Sequence, residues 1–360
     1  MSQSQVAVFF NLLRSGLWHR SADLSLLPKS NQSWELMFRW AQKHTVEGII
    51  FDAFNFLPLD KMPPKKTLYS WTSRVDRIER LNSSMNEHIA LQYGKFNKVG
   101  LSPILLKGQS VSRYYKSPNH RVCGDVDWFV SGKSNYKFLI KELQKDGCDI
   151  NKTPGFSASF FMDQFEIELH AKAFDLHSPL ANYRLRRWVK REYLTNEADF
   201  HGERVLVLAP IFNLLQVNLH ILKHLLAFGV GIRQFCDAAV LYDRLYDEIN
   251  SEKLSEIYKA LGVYKWMELL HVSLVRYIGL DKSKLPFPAK DQINSSWMMK
   301  DVWTGGNFGL YDSNHINEDS LQRIKSRDKV WGNIKKYLPY APMEAICFPL
   351  SQLYSRIELL

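Results

Sequence analysis

Between residues 124 and 130 the chain reads GDVDWFV, and this short alternation limits what the surrounding fold can be. Side chains of a strand point to opposite faces in turn, so Val126, Trp128 and Val130 share one face while Asp125 and Asp127 share the other. Such a strand belongs to a sheet that is apolar on one side and carries neighbouring carboxylates on the other. Its surroundings fit. SPILLKG, residues 102–108, reads as a short buried strand ending in a glycine turn, followed by a brief helix through Val111 and Tyr115. A helix from about Asn135 to Lys145 leads to the segment from Cys148. After a Pro154-Gly155 turn, two further strands are expected over Ser157–Met162 and Phe165–His170, giving the order β-α-β-α-β-β.

On both sides of this core the period becomes helical. Trp34, Met37, Phe38 and Ala41 recur at helical spacing, and a longer stretch after Pro63-Pro64 runs through Trp71, Ile78, Leu81, Met85 and Ile89. From Ala209 a long helix with Pro210 in its first turn is followed, after Gly229-Val230-Gly231, by a second that includes Arg233 to Leu245. More helices are expected at 251–278, 293–303 and 320–337, with a GGNFG turn at residues 305–309 and an amphipathic stretch after Pro342. The reading is an α+β fold in three parts: a helical region over 1–100, a small mixed-sheet core over 101–208 and a helical region over 209–360.

With 46% hydrophobic and 23% charged residues, the chain can bury a core, which excludes disordered and collagen-like classes. The formal net charge of +10 favours polyanionic partners such as nucleotides or RNA, yet the basic residues form no long block and most read as a solvated surface. The N-terminus has no basic region ahead of its apolar residues and reads as an amphipathic helix, not a signal peptide. The most apolar segment, 206–232, is interrupted by Asn213, Gln216, Asn218, His220, Lys223 and His224, which argues against a bilayer span and a membrane partner. Four scattered cysteines without a CxxC pair fit neither a zinc knuckle nor a disulfide framework and suit a cytoplasmic protein.

The chemistry concentrates in three blocks: KGQS at 107–110, DVD at 125–127 and IELH at 167–170. Asp-x-Asp on one strand brings two carboxylates within reach of a hard cation, and Mg²⁺ is held by few carboxylates while phosphates and water complete its shell. A neighbouring strand adds Glu168 as a third carboxylate, the set that two-metal phosphoryl or nucleotidyl transfer needs. Glu166 points to the same strand face. The turn at Lys107-Gly108 supplies the complement, because Gly108 lets backbone approach a phosphate and the next N–H groups, with the Ser110 hydroxyl, bind phosphate oxygens. Arg113, Lys116 and Arg121 lie between the blocks within reach of phosphate. His220, Lys223 and His224 share one helical face, read as a polar packing face since no HExxH signature accompanies it. Arg233 and Asp237 are one turn apart, the spacing of an intrahelical ion pair.

LLKGQSVSRYY, R-x-x-GDVDWFV, IELH, HILKH with GVGIRQFCD, and TGGNFG together resemble the uncharacterised bacterial nucleotidyltransferases within the DNA polymerase β-like superfamily. The resemblance runs from about Leu12 to the C-terminal helices. It implies a nucleotidyltransferase core in which Asp125, Asp127 and Glu168 are catalytic and hold Mg²⁺, or Mn²⁺. Lys107, Gly108, Ser110, Arg121 and Arg233 would bind the NTP, and Glu168 is preferred over Glu166 by its Leu169-His170 context. His170 is either a hydrogen-bonded structural histidine or a phosphate contact. The implied reaction moves a nucleoside monophosphate from an NTP to an acceptor hydroxyl on a small molecule, a protein or RNA, releasing pyrophosphate. Two other readings remain: a non-catalytic nucleotide-binding or regulatory module of toxin-antitoxin type, and a basic RNA-binding protein.

Overall fold

The computed structural model describes residues 3–153, 157–174, 176–191, 194–227, 229–307, 316–317, 320–323 and 327–357. Seven strands form one mixed sheet: β1 (Ile104–Leu106), β2 (Asp125–Phe129), β3 (Asn151–Thr153), β4 (Ser157–Met162), β5 (Phe165–His170), β6 (Thr195–Phe200) and β7 (Glu203–Leu208). Their order is β3-β4-β5-β2-β1-β7-β6. The pairs β2/β5 and β1/β7 are parallel and the others antiparallel. The N-terminal helices are α1 (Gln3–Trp18), α2 (Asn31–Lys43), α3 (Glu47–Asp52) and α4 (Lys65–Lys98). Within the core are α5 (Gly108–Ser112), α6 (Lys133–Lys145) and α7 (Pro179–Arg191). After the sheet come α8 (Pro210–Ala227), α9 (Ile232–Leu245), α10 (Ser251–Leu261), α11 (Tyr264–Ser273), α12 (Ser296–Gly305), α13 (Arg327–Tyr337) and α14 (Pro342–Ile357).

The period-two pattern of β2 explains its central place. Val126 and Trp128 sink into an apolar layer with Met85, Ile89, Tyr93 and Phe96 of α4 and with Tyr136, Leu139 and Leu143 of α6. Trp128 stacks on Tyr93 at 5.9 Å, and its Nε1 donates to Gln92 Oε1 at 2.7 Å, so the buried indole N–H keeps a partner. The opposite face of β2, with Asp125 and Asp127, is left for α5, α8 and α9. In a second apolar cluster the N-terminal helices pack directly on the C-terminal ones: Phe9 of α1 meets Trp303 of α12 at 4.9 Å, and Trp18 Nε1 donates to the Ile278 carbonyl at 2.8 Å. No helix among the described residues is long and apolar enough to cross a membrane.

Several expectations change. Leu81, expected in the buried stripe of α4, is 36% exposed, while Asn82 beside it is buried and donates to the carbonyls of Asn119 and Arg121. The hairpin β6–β7 and the short β3 were not anticipated. Thr195–Phe200 is a polar edge strand, and its turn uses His201 at φ 49° before Gly202 at φ 84°, where Asn or Asp would be the usual signal. Residues 251–278 are not one helix, because Gly262 ends α10 in the left-handed conformation at φ 73°. Ser320–Arg323 is a strand and not the start of a helix, and Phe308 and Gly309 of the expected GGNFG turn lie outside the described residues.

His44 closes α2, fully buried between Phe9 and Trp303, and burial, aided by the Lys43 charge, pushes its imidazole down to about 3. A histidine whose folded pKa lies below its unfolded value of about 6.5 keeps full stability above that value and loses it as pH falls toward 3. His44→Leu removes this term. The stability difference between wild type and His44→Leu is therefore expected to be flat above about pH 7 and to shift against wild type by about 1.4 kcal/mol per pH unit below 6.5. Urea unfolding of both proteins at pH 7.5, 6 and 5 measures it, and a difference independent of pH refutes it.

Candidate active site

The site begins with register. Strand β5 runs parallel to β2 so that Asp125 lies opposite Glu166, Asp127 opposite Glu168 and Phe129 opposite His170. Asp127 is 2% exposed, and its Oδ1 takes the Lys107 ammonium at 3.0 Å and His170 Nε2 at 2.6 Å. The same His170 nitrogen lies 3.2 Å from Glu168 Oε2. One ligand atom each from Asp127, Glu168 and His170 falls within a 4.8 Å set. The trio that the structure draws together is thus Asp127, Glu168 and His170, with Asp125 on the same face one pleat away. Period two continued along β5 from Glu168 places His170 there, and that signal was present in IELH.

Electrostatics follow from the geometry. Burial raises the Asp125 carboxyl, and the Asp127 charge adds to it, bringing it to about 6. Burial also works against Asp127, but the Lys107 ammonium and the His170 hydrogen bond outweigh it and hold this carboxyl well below its usual range. His170 shows the converse: burial opposes its charge, yet bonds to Asp127 and Glu168 push it up to about 9. Carboxylates are therefore held charged or close together at cost to one another, which is the condition a divalent cation relieves. The set drawn together offers two carboxylate oxygens and an imidazole nitrogen to a cation, with the Asp125 carboxylate on the same sheet face.

The turn between β1 and α5 delivers Lys107. Both Lys107 (φ 44°) and Gly108 (φ 38°) have left-handed backbone, a strained conformation for the lysine. A Cβ on Gly108 would lie 3.1 Å from Cys123 Sγ and 3.4 Å from the Asp125 carbonyl, so glycine lets the turn press against the start of β2. Gln109 is buried and donates to Asn82 Oδ1 at 2.8 Å, anchoring the turn to α4. Ser110 departs from expectation: it is 2% exposed, donates its hydroxyl to the Lys107 carbonyl at 2.7 Å and does not line the cleft.

That cleft, about 370 Å³, has the sheet residues Lys107, Gly108, Asp125, Asp127, Glu168 and His170 on one side. Helices α8 and α9 face them with His220, Lys223, His224, Arg233, Gln234 and Asp237. The α8 triplet, expected on a polar packing face, thus belongs to the cleft, with His220 Nε2 2.9 Å from His224 Nε2. Arg121 lines the cleft too, but its guanidinium is spent on Asp237: Nε donates to Oδ1 at 2.7 Å and Nη2 to Oδ2 at 2.8 Å. Asp237 therefore pairs across 116 residues with Arg121, and not within its helix with Arg233, which instead donates to the Val122 carbonyl. No spacing rule in the sequence could find this pair, since its partners sit on different elements.

An Asp-x-Asp strand in register with an acidic neighbour thus faces the helices α8 and α9 across a cleft. The family model of an uncharacterised nucleotidyltransferase matches residues 30–275, so the chain belongs to that family. Among solved structures the chain is similar to an antigenic nucleotidyltransferase-like protein from Paracoccidioides brasiliensis, with 14% identity over 57% of this chain and 94% of that one and a TM-score of 0.35. No protein of curated function matches it.

Proposed function

We propose that this protein transfers a nucleoside monophosphate from an NTP to an acceptor hydroxyl, with Mg²⁺ or Mn²⁺ held by Asp125, Asp127 and Glu168. The observation that carries the reading is the register of β2 on β5, which sets Asp127 beside Glu168 at the floor of a cleft whose opposite wall is basic. When bound, the cation would lower the pKa of the attacking hydroxyl and offset charge on the triphosphate. The chain's own residues prepare this. Lys107 and His170 keep Asp127 ionised and fix its rotamer through two short contacts to one oxygen. The Lys107-Gly108 turn at the end of β1 brings that ammonium to the carboxylate. Burial of Asp127 at the floor keeps bulk water away from that carboxylate.

The test is pyrophosphate release from each of the four NTPs with Mg²⁺ or Mn²⁺, with and without a desalted cell extract as acceptor source. Release is expected to require both metal and extract and to stop on chelation. Nucleotide binding without release under every condition would overturn transfer in favour of a non-catalytic binding module. RNA binding that depends steeply on salt and ignores metal would instead favour the RNA-binding reading.

A further inference from the structure

The start of α9 holds two hydrogen-bond acceptors that the described residues leave without a donor. Gln234, in the first turn of the helix, is 5% exposed and lines the cleft, and its Oε1 has no partner among the described residues. Asn307, two residues past the end of α12, brings the second: its Oδ1 is likewise buried and has no partner among the described residues. Both oxygens lie 3.2 Å from the point where a Cβ on Gly231 would stand, so glycine at the head of α9 leaves room for the two carbonyl groups to converge. Buried acceptors without a donor are rare and costly, and two that converge on one space also repel. A group with two hydrogens, placed between them, relieves both.

The surroundings say what carries that group. Arg233, next in the chain to Gln234, keeps its charge and donates to the Val122 carbonyl, so a cation is disfavoured here and the amino group is a neutral one. Val217 and Ile221 of α8 line the same cleft with apolar side chains. A flat ring with apolar faces and a neutral amino group on its edge meets these conditions together. Adenine, guanine and cytosine carry such an amino group. Uracil has a carbonyl oxygen where cytosine has the amino group, and that oxygen would meet the amide oxygens lone pair to lone pair.

We infer that Gln234 and Asn307 form a base-recognition subsite that selects an NTP with an amino-bearing base, the amino group donating to Gln234 Oε1 and Asn307 Oδ1. This rests on the transfer reading and deepens it by naming the class of nucleotide. The base lies at the start of α9, and the reacting α-phosphate lies at the carboxylates across the cleft.

The probes are the α,β-methylene analogues of ATP, GTP, CTP and UTP, which cannot give up their nucleoside monophosphate, titrated calorimetrically with Mg²⁺ into the full-length protein. The tightest of the four is expected to carry an amino group. Its counterpart without that group, inosine for adenosine or guanosine and uridine for cytidine, is expected to bind roughly tenfold or more weakly, because it leaves buried acceptors unpaired. Gln234→Met keeps the bulk of the side chain and removes the acceptor, and is expected to bring the two members of the pair within about threefold of each other. Asn307→Ala, at a partly exposed residue, is expected to narrow the preference without emptying a core site. A UTP analogue bound most tightly, a pair bound alike by wild type, or a preference unchanged in either variant would each overturn the subsite. So would a wild type that binds none of the four. Amino-dependent binding without pyrophosphate release from any NTP would keep the subsite and overturn transfer. Release from the natural NTPs with no preference for the amino group would do the reverse.

Discussion

Asp127→Asn is expected to lower metal-dependent pyrophosphate release by about three orders of magnitude or more, since a carboxylate that holds the metal underlies several kcal/mol of transition-state stabilisation at about 1.4 kcal/mol per decade of rate. The substitution keeps the shape of the side chain and removes the charge that Lys107 and His170 share. It therefore also leaves two partly buried donors facing a neutral amide, and a drop in stability of about 1–3 kcal/mol is expected alongside the loss of activity. Asp125→Asn separates the two effects. Its carboxyl is raised to about 6 by burial and by the Asp127 charge, so neutralising it relieves repulsion. Asp125→Asn should then lose activity while holding or gaining thermal stability, as residues kept for function at the expense of the fold do. Denaturation midpoints measured beside single-turnover release decide it: activity retained in a variant would remove the substituted aspartate from the chemistry.

Where the backbone period and the chemistry coincide, the sequence was informative. The strands over Ser157–Met162 and Phe165–His170 stand at the expected residues, and DVDWFV alternates as read, because burial of Val126 and Trp128 under α4 leaves only one face for the carboxylates. Edge elements were harder to see. Thr195–Phe200 has four polar residues in six and contributes mainly hydrogen bonds to β7, so apolar periodicity carries little trace of it. The roof of the cleft shows a different limit. His220, Lys223 and His224 were visible as one helical face, but no local pattern says which wall of the molecule that face meets; this depends on the packing of α8 and α9 over the sheet. Ser110 shows the reverse case, a residue with suitable chemistry whose hydroxyl is used by its own turn.

Arg121 and Asp237 are the long-range pair through which sheet and roof are joined, and breaking it is expected to be the most damaging single change outside the carboxylates. Arg121 is 4% exposed, its fork spans both oxygens of Asp237, and Tyr115 Oη donates to the same carboxylate at 2.7 Å. Burial raises the Asp237 carboxyl, but Arg121 more than reverses this and keeps it ionised. Removing the arginine strands a buried anion, so Arg121→Ala should destabilise the fold by about 3–5 kcal/mol. Replacing both partners with apolar residues, Arg121→Met with Asp237→Leu, should recover much of that loss, because the desolvation cost of two ions disappears with their attraction. Stability alone therefore does not account for the pair. Arg121 lies four residues before Asp125, and Asp237 follows Arg233 by one turn of α9, so the bridge sets the distance between carboxylates and helix start. The stable double variant is accordingly expected to turn over NTP more slowly despite intact carboxylates, with the loss in kcat larger than the rise in KM because both walls persist but their spacing does not. Full activity in that variant would reduce the pair to a structural tie.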